Sequence, residues 1–239
     1  MHPASPCSPR AAMATPMSPF WSRPMRPELV IFDCDGVLVD SEPVTDAVIA
    51  ANLTRHGLPM TPDKVHSLFV GGTIYGVRDQ ARRLGAALPD DWADQMYAEM
   101  FEALAKGVPL IPGILPLLDA LDGARIAKAI ASNGPRQKME ITLTPSGLWD
   151  RFAPNIHSAH DAQKPKPDPH MLLKAVAQAG TTPDRAVFID DSPTGAAAGP
   201  AAGIRTFALT PDPDRAPPGT EQITSLTDLP AALGLAEAL

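Results

Sequence analysis

Cysteine is scarce in this chain: two in 239 residues, Cys7 in a proline-rich stretch and Cys34 in an apolar one. Two thiols so placed build no disulfide framework, which points to a reducing cytoplasm. Positive charge is also in deficit, with a net charge of -7. Phosphate backbones select basic surfaces, so the balance argues against a nucleic-acid partner and leaves any anion to a local site. No apolar run approaches the ~18–20 residues that span a bilayer, so no membrane partner is expected. The six histidines show no ligand-type spacing such as HxxxH, which disfavours a zinc site. What is present, 44% hydrophobic and 20% charged residues, suits a soluble globular protein. The length allows a full core and a small second domain.

Residues 1–27 read as tail. Pro3, Pro6, Pro9, Pro16, Pro19, Pro24 and Pro27 remove backbone donors and forbid a helix. Basic residues occur there without an apolar core, a poor match to a signal peptide. Met13, Met17 and Met25 offer alternative starts.

Four apolar runs read as buried parallel strands: Leu29 to Phe32, Ile126 to Ala131, Val187 to Ile189 and Ile204 to Leu209. Ser132-Asn133-Gly134-Pro135 and Asp191-Ser192-Pro193 are helix starts, with polar caps and a proline in the first turn. Strand, sharp turn and helix, repeated, predict an α/β fold with an open parallel sheet. Between the first two strands lies an insert of helical periodicity: Thr45 to Arg55, Thr61 to Phe69, Ile74 to Leu84 and Trp92 to Lys106. Breaks fall at Gly57-Leu58-Pro59, Gly71-Gly72 and Leu88-Pro89. The expected organisation is a core of residues 28–41 and 110–239, with residues 42–109 as a helical cap over the strand ends.

The first strand runs into Asp33-Cys34-Asp35-Gly36. Alternation along a strand starts Asp33 and Asp35 on one side. Two like charges buried together cost several kcal/mol unless a cation or a proton intervenes. A divalent ion with oxygen ligands, Mg2+, is the expected remedy, and Gly36 lets the chain turn sharply against a ligand. Open α/β sheets bind ligands at the carboxyl ends of their strands. There stand Asp33 and Asp35, Ser132 and Asn133, and Asp190 and Asp191, with Lys164 in a nearby loop. This set suits phosphoryl transfer. Asp33 is the candidate nucleophile and Asp35 the acid and then the base. Mg2+ would be held by Asp33, Asp191, the backbone carbonyl of Asp35 and, more weakly, Asp190. Ser132, Asn133, Gly134 and Gly36 would bind the phosphoryl group, and Lys164 would offset the excess negative charge.

Asp-Cys-Asp-Gly, Ser132-Asn133-Gly134, Lys164-Pro165-Lys166-Pro167-Asp168 and Asp190-Asp191-Ser192-Pro193-Thr194-Gly195 resemble the four ordered motifs of the haloacid dehalogenase superfamily. They are similar to its phosphatase-rich subgroup, subfamily I, with a helical cap after the first motif. The resemblance spans nearly all the chain from Glu28. It implies a Rossmann-like core, Mg2+ dependence and hydrolysis of a small phosphomonoester by a monomer or homodimer. Ser-Asn-Gly-Pro with Lys138 downstream resembles bacterial phosphatases of sugar phosphates such as 6-phosphogluconate. The family pattern Lys-Pro-x-Pro-Asp points to Lys164, with Lys166 as its solvated neighbour.

Blander readings stand beside these. The aspartates and Ser132 also suit helix caps. Cys34 suits a small buried residue, and Trp92, Tyr97 and Phe101 suit a cap core. Gly199-Pro200 should kink or stop the helix after Asp191. A sugar phosphomutase, which would share the nucleophile and the metal, is the first rival; Thr45, where relatives often carry His, and the absence of the mutases' arginine from the matching place count against it. Arg78, Arg82 or Arg83 would substitute only from an inward helix face. A dehalogenase has no use for Mg2+ or Asp35, and a phosphonate hydrolase would need Lys64 as its Schiff base. A non-catalytic binding protein would not need all four motifs.

Overall fold

The computed structural model describes residues 26–69 and 74–235. The proline-rich segment up to Met25, the expected break at Gly71-Gly72 with its neighbours Val70 and Thr73, and residues 236–239 lie outside the described residues. In chain order the elements begin with strand β1 (Leu29–Phe32) and helices α1 (Glu42–Arg55), α2 (Pro62–Phe69), α3 (Ile74–Arg83), α4 (Trp92–Leu104) and α5 (Ile114–Gly123). Strand β2 (Ala127–Ser132), helices α6 (Arg136–Leu143) and α7 (Leu148–Phe152), strand β3 (Ile156–Ser158), and helices α8 (Ala159–Ala162) and α9 (His170–Ala179) follow. Strand β4 (Ala186–Asp190), helices α10 (Pro193–Ala196) and α11 (Ala198–Ala201), strands β5 (Arg205–Leu209) and β6 (Glu221–Ile223), and helix α12 (Leu229–Ala232) complete the chain.

The strands form one parallel sheet in the order β3-β2-β1-β4-β5-β6. The fold is the expected α/β, Rossmann-like sheet. β3 and β6 were not legible as strands. Ile-His-Ser and Glu-Gln-Ile are three-residue edge pieces with too little apolar surface to show a pattern. β1 is fully buried on both faces, as a central parallel strand should be. Val30 and Phe32 pack on one face with α5, α6 and α7, and Leu29 and Ile31 pack on the other with α9. Phe32 meets Phe152 edge to face at 5.7 Å. Truncating such a ring to alanine costs about 3–5 kcal/mol.

Helices α1 to α4 close on a hydrophobic cluster of their own, built from Ile49, Leu53, Val65, Trp92, Met96 and their neighbours. The chain leaves for this cap and returns at one place. Val39 bridges Leu110, and the Asp40 amide donates to the Pro109 carbonyl at 2.8 Å.

The helix after Asp191 breaks at Ala197, as Gly199-Pro200 led one to expect. The restart puts Pro200 in the first turn of α11, where an N–H has no helical partner to lose. Gly199 is needed there, because a Cβ would lie 1.7 Å from Thr206 Oγ1.

Candidate active site

β1 pairs with β2 on one side and β4 on the other, so the chain reverses its direction of travel across the sheet at β1. Such a switch point opens a crevice at the carboxyl ends. Asp33 follows β1 immediately, its amide donating to the Ile189 carbonyl at 2.9 Å. Asp190 ends β4, and Asp191 comes next. Asp33, Asp190 and Asp191 each turn a carboxylate oxygen to within 4.8 Å of the others.

Glycine makes the crowding possible. A Cβ on Gly36, at φ 78°, would stand 2.2 Å from Asp191 Oδ2, and one on Gly195 would stand 2.2 Å from Asp190 Oδ2. Asp190 is fully buried, and its Oδ1 accepts from the Ser192 amide and hydroxyl at 2.9 and 2.8 Å.

The lysine at the centre is Lys166. Its Nζ lies 2.6 Å from Asp190 Oδ2 and 2.9 Å from Asp33 Oδ1, and it is 3% exposed. Lys164, favoured from the motif, is exposed instead. The sequence pattern could not separate two lysines one proline apart. The loop decides, because the Asn133 side chain grips the backbone of Lys166. Asn133 Oδ1 accepts from the Lys166 amide at 2.7 Å, and its Nδ2 donates to the Lys166 carbonyl at 3.3 Å. Asn133 was expected to bind substrate, but both ends of its amide are spent on seating Lys166.

Burial pulls an ammonium down, but Asp33 and Asp190 outweigh it and hold Lys166 above the ordinary lysine range. Burial, with Asp190 and Asp35 adding to it, raises Asp33 against the opposing pull of Lys166. Burial first, then Asp33 and Asp190, raise Asp191 to about 7. Among the described residues Asp33 Oδ1 accepts no well-aligned hydrogen bond, despite the nearby ammonium. Three crowded carboxylates, with one ammonium to offset them, form a hard oxygen donor set, which fits a divalent cation such as Mg2+.

The Asp35 side chain lies apart from this cluster. Regular strand geometry ends at Phe32, the chain bends at Cys34, and the alternation that put Asp33 and Asp35 on one side lapses. Asp35 Oδ1 accepts from Ser41 Oγ at 2.5 Å, and Oδ2 accepts from Lys138 Nζ at 2.8 Å. Its carboxylate is therefore not one of the clustered metal donors. Lys138, known in the sequence only as a downstream residue, sits in the first turn of α6. Burial lowers it, but the charge and hydrogen bond of Asp35 more than reverse that and raise it.

Ser132 ends β2, nearly buried, and its Oγ accepts from the Gly134 amide at 3.1 Å. The Gly134 carbonyl takes a 2.7 Å hydrogen bond from Ser158 Oγ at the end of β3. A Cβ on Gly134 would lie 3.5 Å from Ser132 Oγ and 3.8 Å from Asp35 Oδ2, so this loop faces Asp35. Cys34 is buried, and burial followed by Asp35 and Asp33 pushes its thiol up, away from the thiolate a nucleophile needs.

The cap residues weighed earlier point elsewhere. Lys64 and Arg83 are exposed. Arg78 pairs with Asp79 and lies over Tyr75, and Arg82 binds Asp90 and the Leu88 and Pro89 carbonyls. Thr45 Oγ1 is buried without a hydrogen-bond partner among the described residues.

A family model described as haloacid dehalogenase-like hydrolase matches residues 27–203. Among curated relatives, the 6-phosphogluconate phosphatase of Escherichia coli (strain K12) is 30% identical over 206 residues, 85% of this chain and 92% of that one. Hexitol phosphatase A of the same organism is 30% identical over 192 residues, 80% of this chain and 86% of that one. A solved structure of a HAD family hydrolase from Deinococcus radiodurans R1, with bound phosphate and sodium, superposes with a TM-score of 0.73. It is 31% identical and covers 88% of this chain and 97% of that chain.

Proposed function

The chain belongs to the haloacid dehalogenase-like hydrolases and is a phosphatase of that family, and we propose that it hydrolyses small phosphorylated metabolites, sugar or sugar-acid phosphates, through an aspartyl-phosphate on Asp33. The observation that carries this reading is the convergence of Asp33, Asp190, Asp191 and Lys166 at the sheet's switch point.

A carboxylate oxygen of Asp33 attacks phosphorus while the ester P–O bond breaks. Asp35 gives its proton to the departing oxygen, which leaves as an alcohol. Asp35, now a carboxylate, takes a proton from water as the water oxygen attacks phosphorus. The Asp33–phosphorus bond breaks and inorganic phosphate is released. Lys166 keeps Asp33 charged and oriented against the repulsion of Asp190. Ser132 and the loop amides toward Gly134 receive phosphoryl oxygens, with Gly36 allowing the close approach. Asp33 and Asp191, with the Asp35 carbonyl, would hold Mg2+, and Asp190 supports them. The ion supplies positive charge for the transferring phosphoryl group. Residues 42–109 act as a cap domain over a core of residues 28–41 and 110–239, and the enzyme works in the cytoplasm.

The test is phosphate release from a panel of phosphorylated metabolites, with Mg2+ and with chelator, for wild type and Asp33→Asn. We expect release from sugar or sugar-acid phosphates that chelator abolishes and that falls by at least about 10³-fold in the variant. Undiminished turnover by Asp33→Asn would sink the nucleophile assignment, and chelator-resistant turnover would sink the metal.

A further inference from the structure

Asp35 is held from both sides. Lys138 Nζ donates to its Oδ2 at 2.8 Å and approaches Ser41 Oγ at 3.3 Å, while Ser41 Oγ reaches Asp35 Oδ1 at 2.5 Å. The three side chains close a ring. Its members come from three places: the turn after β1, the point where the chain enters the cap, and the helix that follows the Ser132 loop.

Ser41 stands at the N-cap of α1, yet its side chain makes no capping hydrogen bond. A serine there ordinarily turns its oxygen to the free helical amides. Here the hydroxyl is spent on Asp35, at 2% exposure. Lys138 is likewise no surface lysine. Its side chain is 18% exposed and its partner lies 103 residues away in sequence.

We propose that Lys138 is a positioning residue for proton delivery to the leaving group. This rests on the phosphatase reading above. As Asp35 passes its proton to the ester oxygen it becomes a carboxylate, and the ammonium already beside Oδ2 stabilises the charge that develops. Ser41 can donate or accept, so it holds the other oxygen in either state of the acid. Lys138 has three donors, enough to grip Asp35 and Ser41 together. α4 of the cap packs against α6, so the lysine sits where the cap meets the core.

Leaving-group chemistry separates this role from a merely structural one. An alkoxide leaves only with a proton, whereas p-nitrophenolate leaves without help. The experiment measures kcat/KM for 6-phosphogluconate, phenyl phosphate and p-nitrophenyl phosphate with wild type, Lys138→Met and Lys138→Arg. We expect Lys138→Met to lose about 10²-fold on 6-phosphogluconate and less on phenyl phosphate, a loss within the span of general acid catalysis. On p-nitrophenyl phosphate it should stay within about threefold of wild type, where no acid is needed. Lys138→Arg, which keeps the cation, should recover part of the loss on 6-phosphogluconate. Equal losses on all three substrates, or no loss on 6-phosphogluconate, would overturn the proposal while leaving the phosphatase reading intact. Failure of wild type to release phosphate from any of the three would overturn the phosphatase reading, and this proposal with it.

Discussion

The sheet crevice and the cap both bury polar side chains, but to opposite ends. In the cap, Trp92 Nε1 donates to Asn52 Oδ1 at 2.7 Å, Asn52 Nδ2 donates to Glu99 at 3.0 Å, and Arg55 closes the chain on Glu99 at 2.6 Å. These three hydrogen bonds form a continuous chain that stitches α1 to α4. In the crevice, charge is left over. Three aspartates crowd together, two of them paired with the buried Lys166, and Asp33 Oδ1 has no well-aligned donor among the described residues. A connected network stabilises the structure around it, whereas crowded, unbalanced charge is what a functional site carries.

The difference sharpens into contrasts that experiments can break. The largest effect is expected from the two neighbouring lysines. Lys166→Met should lower kcat by about 10²–10³-fold, since it strips the crevice of its buried positive charge. Lys164→Ala should stay within about twofold, because an exposed, solvent-screened charge adds little. Steady-state kinetics on both variants decides the matter, and the reverse order would return Lys164 to the site.

Gly36→Ala comes next. Its Cβ would collide with Asp191 at a backbone angle that only glycine takes easily. We expect the Mg2+ concentration for half-maximal activity to rise about tenfold or more, as disturbed metal ligation does. An unchanged metal titration would mean that Asp191 tolerates displacement.

The smallest effect on chemistry should come from the cap. Asn52→Ala leaves the Trp92 N–H buried without an acceptor, at a cost of about 1–3 kcal/mol. Thermal denaturation should show the loss, with kcat/KM for p-nitrophenyl phosphate nearly unchanged. A large kinetic defect with an unchanged melting temperature would mean that the cap network also serves the reaction.

Much of this was open to sequence reading because the signals are local. A short apolar run ending in Asp-x-Asp-Gly, helix-start residues after the next strands, and 3.6-residue periodicity in the insert all act over a few residues. They specify β1, β2, β4, β5 and the cap helices to within a few positions. β3 and β6 escaped, being short edges whose place is set by the strands they pair with.

The chain by itself therefore determined the elements, the carboxylates at the strand ends and the family to which those motifs belong, since each depends on neighbouring residues and fixed backbone periods. The tertiary structure alone decided which lysine enters the crevice, that Asn133 serves that lysine, and that Asp35 turns away toward Lys138 and Ser41. Those outcomes depend on segments 33, 97 and 103 residues apart in sequence meeting in space, where burial and competing charges choose among groups that look equivalent along the chain.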